Sequence, residues 1–130
     1  MLQVLPATLK LLRIKEKTKM MLITKAIEKK APALGSQSEK KADKVKVVAK
    51  FFNPFGIGTW YMTEYDPETK MAFGYCDLGY PELGYFSITE LEELRMPPFG
   101  GKIERATNFA PSTLQNVMDS CAKLHGGGAE

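Results

Sequence analysis

Residues 50–95 read KFFNPFGIGTWYMTEYDPETKMAFGYCDLGYPELGYFSITELEELR, and this stretch decides the fold. It holds most of the chain's aromatic residues and most of its acids, with turn signals at short intervals. Just ahead of it, residues 45–52 alternate. Val45, Val47, Ala49 and Phe51 fall on one side, and Lys46, Val48, Lys50 and Phe52 on the other, the period of a strand. Asn53-Pro54-Phe55-Gly56 supplies a turn, because Pro fixes φ and Gly permits positive φ. Residues 57–65 form a second alternating run, with Trp60, Met62 and Glu64 opposite Thr59, Tyr61, Thr63 and Tyr65. Asp66-Pro67-Glu68-Thr69 fits a type I turn. Residues 71–76 read as a third strand, residues 77–82 as a loop and residues 83–86 as a short fourth strand.

Ser87-Ile88-Thr89-Glu90 fits a capping box, so a short helix follows, ending before Pro97-Pro98, with Ile88 and Leu91 inward. Residues 102–109 offer a fifth strand. Residues 111–124 form an amphipathic C-terminal helix with Leu114, Val117, Met118 and Cys121 in register. On the N-terminal side, Met20, Ile23, Ile27, Ala31 and Leu34 are spaced by three or four. That spacing predicts a helix that fades at Ala31, because Pro32 biases its predecessor away from the α region. Thr8 is a candidate cap for an earlier helix. The fold expected is α+β: an antiparallel sheet of four to five strands, an N-terminal helix, a short capped helix after strand four and a C-terminal helix. Residues 21–124 make the domain, with 35–44 as a mobile connection, 1–20 as an extension and 125–130 as a disordered tail.

A chain of 130 residues is one domain. Its charge is lopsided: residues 1–50 carry 13 Lys or Arg against 4 acids, and residues 51–130 carry 5 against 11. A basic arm thus joins an acidic body, and such an arm either solvates a helix face and a loop or seeks phosphate. Cys76 and Cys121 lie far apart without CxxC spacing, so no disulfide framework is implied. The N-terminus lacks a secretory pattern and no apolar run reaches the roughly 20 residues of a membrane span, so a cytoplasmic location is expected.

The same stretch carries a resemblance. Residues 47–54 (VVAKFFNP), 58–68 (GTWYMTEYDPE), 72–95 and 102–111 (KIERATNFAP) resemble a family of small bacterial proteins catalogued as a domain of unknown function. Its members are often encoded on plasmids and on conjugative or integrated elements, and usually begin near a segment like MLITKAIEKKAPALG, residues 21–35 here. On that resemblance residues 1–20 are an upstream extension or a start assigned too early. The resemblance implies a mobile-element accessory protein and brings no catalytic residues with it.

No catalytic constellation, metal cluster or phosphate loop is legible, and no cofactor is implied. His125, the chain's single histidine, abuts a Gly-rich tail, so neither cysteine gains a partner for nucleophilic catalysis. Asp77 and Glu82 flank the 77–82 loop and could come close as a carboxylate pair, which keeps a carboxylate-dependent hydrolase as one alternative. Glu64 reads as a cross-strand partner for a lysine.

Two surfaces are candidates for binding. If Val47, Trp60 and Met62 face the helices, the other face collects Lys46, Lys50, Phe52, Thr59, Tyr61, Thr63 and Tyr65, with Phe73 or Tyr75 joining from the next strand. Lysines among tyrosines can stack bases and neutralise phosphate, the alternative of a nucleic-acid-binding sheet. The acidic body opposes it, since affinity for phosphate comes chiefly from cations. The second surface is an aromatic knob of Leu78, Tyr80, Pro81 and Tyr85 ringed by Asp77 and Glu82, the composition of a protein-binding hot spot. The function expected is non-catalytic binding of a macromolecule, a host protein rather than nucleic acid, with defence or control proteins suiting a mobile element.

Overall fold

A computed structural model describes residues 21–107, 109–110 and 112–125. The expected Thr8-capped helix, the extension and the end of the tail lie outside them. The elements are α1 (Lys25–Lys30), a 3-10 turn at Ala42–Lys44, β1 (Lys46–Val47), β2 (Ala49–Phe52), β3 (Thr59–Asp66), β4 (Met71–Asp77), β5 (Pro81–Ser87), α2 (Ile88–Glu93), β6 (Glu104–Arg105), β7 (Ser112–Thr113) and α3 (Leu114–His125). The fold is α+β, with a five-stranded antiparallel sheet in the order β5-β4-β3-β2-β6 and a two-stranded β1-β7 ribbon.

Local chemistry accounts for most of these boundaries. The Thr24 hydroxyl accepts the Ile27 amide at 3.1 Å and starts α1, which stops at Lys30 because Ala31, ahead of Pro32, is extended. The Ser87 hydroxyl accepts the Glu90 amide at 3.1 Å, the expected cap of α2. Between β3 and β4, Asp66 accepts the Glu68 amide at 3.1 Å and the Thr69 hydroxyl at 2.7 Å. Those bonds, the hydroxyl's first, hold its carboxyl below the usual range. The C-terminal helix starts three residues later than expected. Ser112 and Thr113 pair with Val47 and Lys46 instead, and the Thr113 hydroxyl caps α3 through the Asn116 amide at 3.2 Å. The fifth strand is shorter than expected, since only Glu104 and Arg105 pair with β2.

Two irregularities decide where side chains go. The Val48 amide donates to the Met62 carbonyl at 2.8 Å while Ala49 takes the paired position opposite Met62, so the expected strand 45–52 breaks into β1 and β2. Val47 therefore packs with Val117 and Cys121, whereas Ala49 and Phe51 join the main core. In β3 the register with β4 shifts between Met62 and Glu64, leaving Thr63 as an extra residue. An extra residue in a strand reverses the parity of everything after it.

The main core is on one side of the sheet. Phe51, Met62, Trp60, Ala72 and Phe86 meet Leu22, Ile23, Ile88 and Leu91 from the covering segments. Full burial of side chains such as Phe51, Met62 and Ile88 contributes roughly 1.5–3 kcal/mol each. The Glu92 carboxylate accepts the Leu22 amide at 2.9 Å and Arg105 donates to the Leu22 carbonyl at 3.0 Å, which seats the N-terminal segment on this side. On the other side α3 lies over Tyr61 and Tyr75 through Val117 and Cys121. The segment expected as a mobile connection, 35–44, is folded as turns over the end of β3.

Candidate functional site

Glu64 fixes that segment. It is 3% exposed and pairs with Phe73 across the strands, and its carboxylate accepts the Gly35 amide at 2.7 Å and the Gln37 amide at 3.0 Å. The expected lysine partner is replaced by main-chain donors, because the extra Thr63 turns Glu64 toward the loop. The Tyr65 amide donates to the Pro32 carbonyl at 2.9 Å, which holds the start of the same segment.

The reversal also divides the predicted Lys/Tyr face. Tyr65 is 4% exposed and belongs to the main core with Trp60 and Met62, not to the face of Tyr61. Burial, then the charges of Glu28, Glu92 and Asp66, push its phenol up. Lys46 lies in the β1-β7 ribbon, off the five-stranded sheet. Tyr75 packs against the Val117–Cys121 cluster, 6.5 Å from the Tyr61 ring. Lys50, Phe52 and Tyr61 do come together. They line a broad cleft of about 890 Å³ with Phe109, Glu104 and Arg105, and the Lys50 ammonium sits 5.6 Å from the Tyr61 ring centre. Arg105 spends hydrogen bonds on the Met21 and Leu22 carbonyls, and Glu104 places a carboxylate beside it.

The carboxylate pair does not form. Cys76 pairs with Glu82 and Asp77 with Pro81, so Glu82 shares the face of Cys76 and Asp77 takes the opposite one. Electrostatics agree: Cys76 is pushed up to about 11 by burial and then by Glu82, whereas Asp77 acts on Tyr61 and Tyr75 across the sheet. Among the described residues no three His, Cys, Asp or Glu side chains could hold a metal ion, and both cysteines are buried and free. No described helix is long and apolar enough to cross a membrane.

The predicted 77–82 loop is a tight hairpin instead. β4 and β5 pair without a break from Asp77 with Pro81 to Met71 with Ser87, leaving only Leu78, Gly79 and Tyr80 at the turn. Gly79 has φ of +122°, and its amide donates to the Asp77 carboxylate at 3.3 Å. The hairpin exposes Leu78 (59%), Tyr80 (78%), Leu83 (48%) and Tyr85 (65%). Tyr85 meets the Phe73 ring edge-on at 4.9 Å, which anchors it without burying it.

Sequence reasoning passed over Leu83 and the groove beside it. Between α3, the 35–42 turns and β4-β5 runs a groove of about 320 Å³, walled by Phe73, Leu83, Tyr85, Leu114 and Met118, with Glu64 among its lining. Its signal in the sequence was the i, i+4 pair Leu114 and Met118 on the last helix, but the partner wall comes from residues far away in sequence. No curated protein and no solved structure matches the chain. A family profile does match, over residues 13–127, beginning inside the segment expected to be an extension. With that match covering most of its length, the chain belongs to the family described as Protein of unknown function (DUF2958).

Proposed function

We propose that this protein is a non-catalytic accessory protein that binds a protein partner through the β4-β5 hairpin. The observation that carries this reading is the exposure of Leu78, Tyr80, Leu83 and Tyr85 together on one regularly paired hairpin. Large apolar and aromatic side chains held outward by a rigid scaffold, with Asp77 and Glu82 at the rim, have the make-up of an interface centre. The mobile-element resemblance of these motifs suits a host protein of defence or control as the target.

The cleft of Lys50, Tyr61 and Phe109 supports nucleic-acid binding less well. Arg105 is committed to main-chain carbonyls, and Glu104 lies in the same cleft. Phosphate binding draws its free energy from unpaired cations. A carboxylate-dependent hydrolase is supported least, because Asp77 and Glu82 face opposite sides of the sheet.

The test is affinity capture from a host lysate with the wild-type chain, Tyr80→Ala and Tyr85→Ala. A specific protein should be retained by wild type and lost with either variant, each substitution weakening binding by about 30-fold or more. Retention should survive moderate salt while circular dichroism stays unchanged. Capture indifferent to both variants, or dominated by salt-sensitive nucleic acid, would refute the reading.

A further inference from the structure

β5 is an outer strand, and its outer edge is unpaired among the described residues. The Ile88 amide donates to the Lys70 carbonyl at 2.9 Å, which sets the alternation along the ladder. In an antiparallel pair each residue turns both main-chain polar groups the same way, and neighbours turn opposite ways. Phe86, Gly84 and Glu82 therefore address β4, while Tyr85 and Leu83 direct an N–H and a C=O each away from the sheet. Pro81, which lacks an N–H, falls at an outward position, where proline is tolerated.

The two edges of the sheet are treated differently. β6, the opposite edge, is two residues long and both are charged. β5 has seven residues in continuous register with no bulge and no lysine. Natural sheets blunt an exposed edge with shortness, charged side chains, proline or a bulge when pairing must be avoided. In β5 the proline and the charge, Pro81 and Glu82, stand together at the hairpin end, and residues 83–87 carry none of these devices.

We infer that β5 receives an added strand: an extended segment of the partner protein pairs with its outer edge through the main chains of Leu83 and Tyr85. This rests on the protein-binding reading above. Two features specify the segment. The groove beside Leu83 and Tyr85, about 320 Å³ and walled largely by apolar side chains, accepts one large apolar side chain from it. The groove lining carries one cation, Lys40, and one acid, Glu64, so it takes the apolar side chain, while the hairpin, residues 71–87, carries Asp77 and Glu82 and no Lys or Arg, so the segment is basic where it meets the hairpin. A lysine or arginine there gains the exposed Tyr80 ring as well.

The experiment pans a displayed library of random linear peptides on the full chain and resynthesises the selected peptides. Strand addition predicts selected sequences that alternate large apolar residues with others and carry Lys or Arg. N-methylation of every second peptide amide should weaken binding at least about tenfold in one phase and little in the other. Bound peptide should slow amide exchange at Leu83 and Tyr85, and Leu83→Lys, a substitution at an exposed side chain, should abolish binding without unfolding the chain. Recovery of no binding peptide overturns the inference. So does self-association of the chain that Leu83→Lys removes, since the edge then belongs to a second copy. Peptides that lose affinity with Tyr80→Ala yet tolerate N-methylation in both phases overturn strand addition while leaving the protein-binding reading standing. If selected peptides ignore both N-methylation and Leu83→Lys, and captured protein responds to neither Tyr80→Ala nor Tyr85→Ala, both fall.

Discussion

The Glu64 carboxylate accepts the Gly35 amide at 2.7 Å, joining a strand to a turn 29 positions away. That bond and its companion from Gln37 turn a polar, lysine-rich connection into one wall of the groove beside β5. They exist because the extra Thr63 sends Glu64 to the groove side and Tyr65 to the core.

Glu64→Ala should therefore release the turns at 35–38. Loss of a charged acceptor for two main-chain donors is expected to cost about 2–3 kcal/mol. Exchange of the Gly35 and Gln37 amides should accelerate sharply, while amides of Trp60 and Phe86 should accelerate only as far as global stability falls. Chemical denaturation and amide exchange check this, and unchanged protection at Gly35 would contradict it.

Gly74 and Gly84 face each other across β4 and β5 but answer differently to a methyl group. A Cβ at Gly74 would lie 1.8 Å from the Tyr61 carbonyl oxygen, main chain that cannot rotate away. A Cβ at Gly84 meets nothing within 4 Å. Gly74→Ala should cost about 3 kcal/mol or more, or prevent folding, whereas Gly84→Ala should stay within about 0.5 kcal/mol of wild type. Paired urea titrations measure both.

Tyr61 makes stability fall at high pH. Burial first, then Cys121, Asp77 and Tyr75, push its phenol from 10.0 up to about 12. The folded state favours the neutral phenol more than the unfolded chain does. Its contribution is therefore complete below about pH 10 and is lost as pH rises through about 12. The urea midpoint should decline across this window, and Tyr61→Phe should flatten the decline while leaving it unaltered near neutral pH. A wild-type profile matching that of Tyr61→Phe would contradict the assignment.

Much of the architecture was legible because it rests on short-range chemistry. The period-two runs around Trp60 and Tyr75, the Asp66 turn, the Ser87 cap and the break ahead of Pro32 each depend on a few neighbouring residues, so the order of strands and helices followed from reading along the chain. The crowding of Tyr80 and Tyr85 with turn formers and acids was legible for the same reason, whereas their exposure came from the β4-β5 pairing.

Which side chains share a face was decided only by tertiary structure. Period-two alternation has no error correction: one unpaired residue at Thr63 moves Tyr65 from the Lys50–Tyr61 side into the core, and the break at Val48 parts Val47 from Ala49. Local hydrogen bonds and alternation suffice to dictate a hairpin-rich sheet with capped helices, so that much was readable along the chain. Only the folded chain decided that β5 would be the outer strand among the described residues, that Asp77 and Glu82 would part, and that Glu64 would hold a loop. Those outcomes depend on register between segments distant in sequence, where hydrogen-bond geometry and core packing, not propensity, select the pairing.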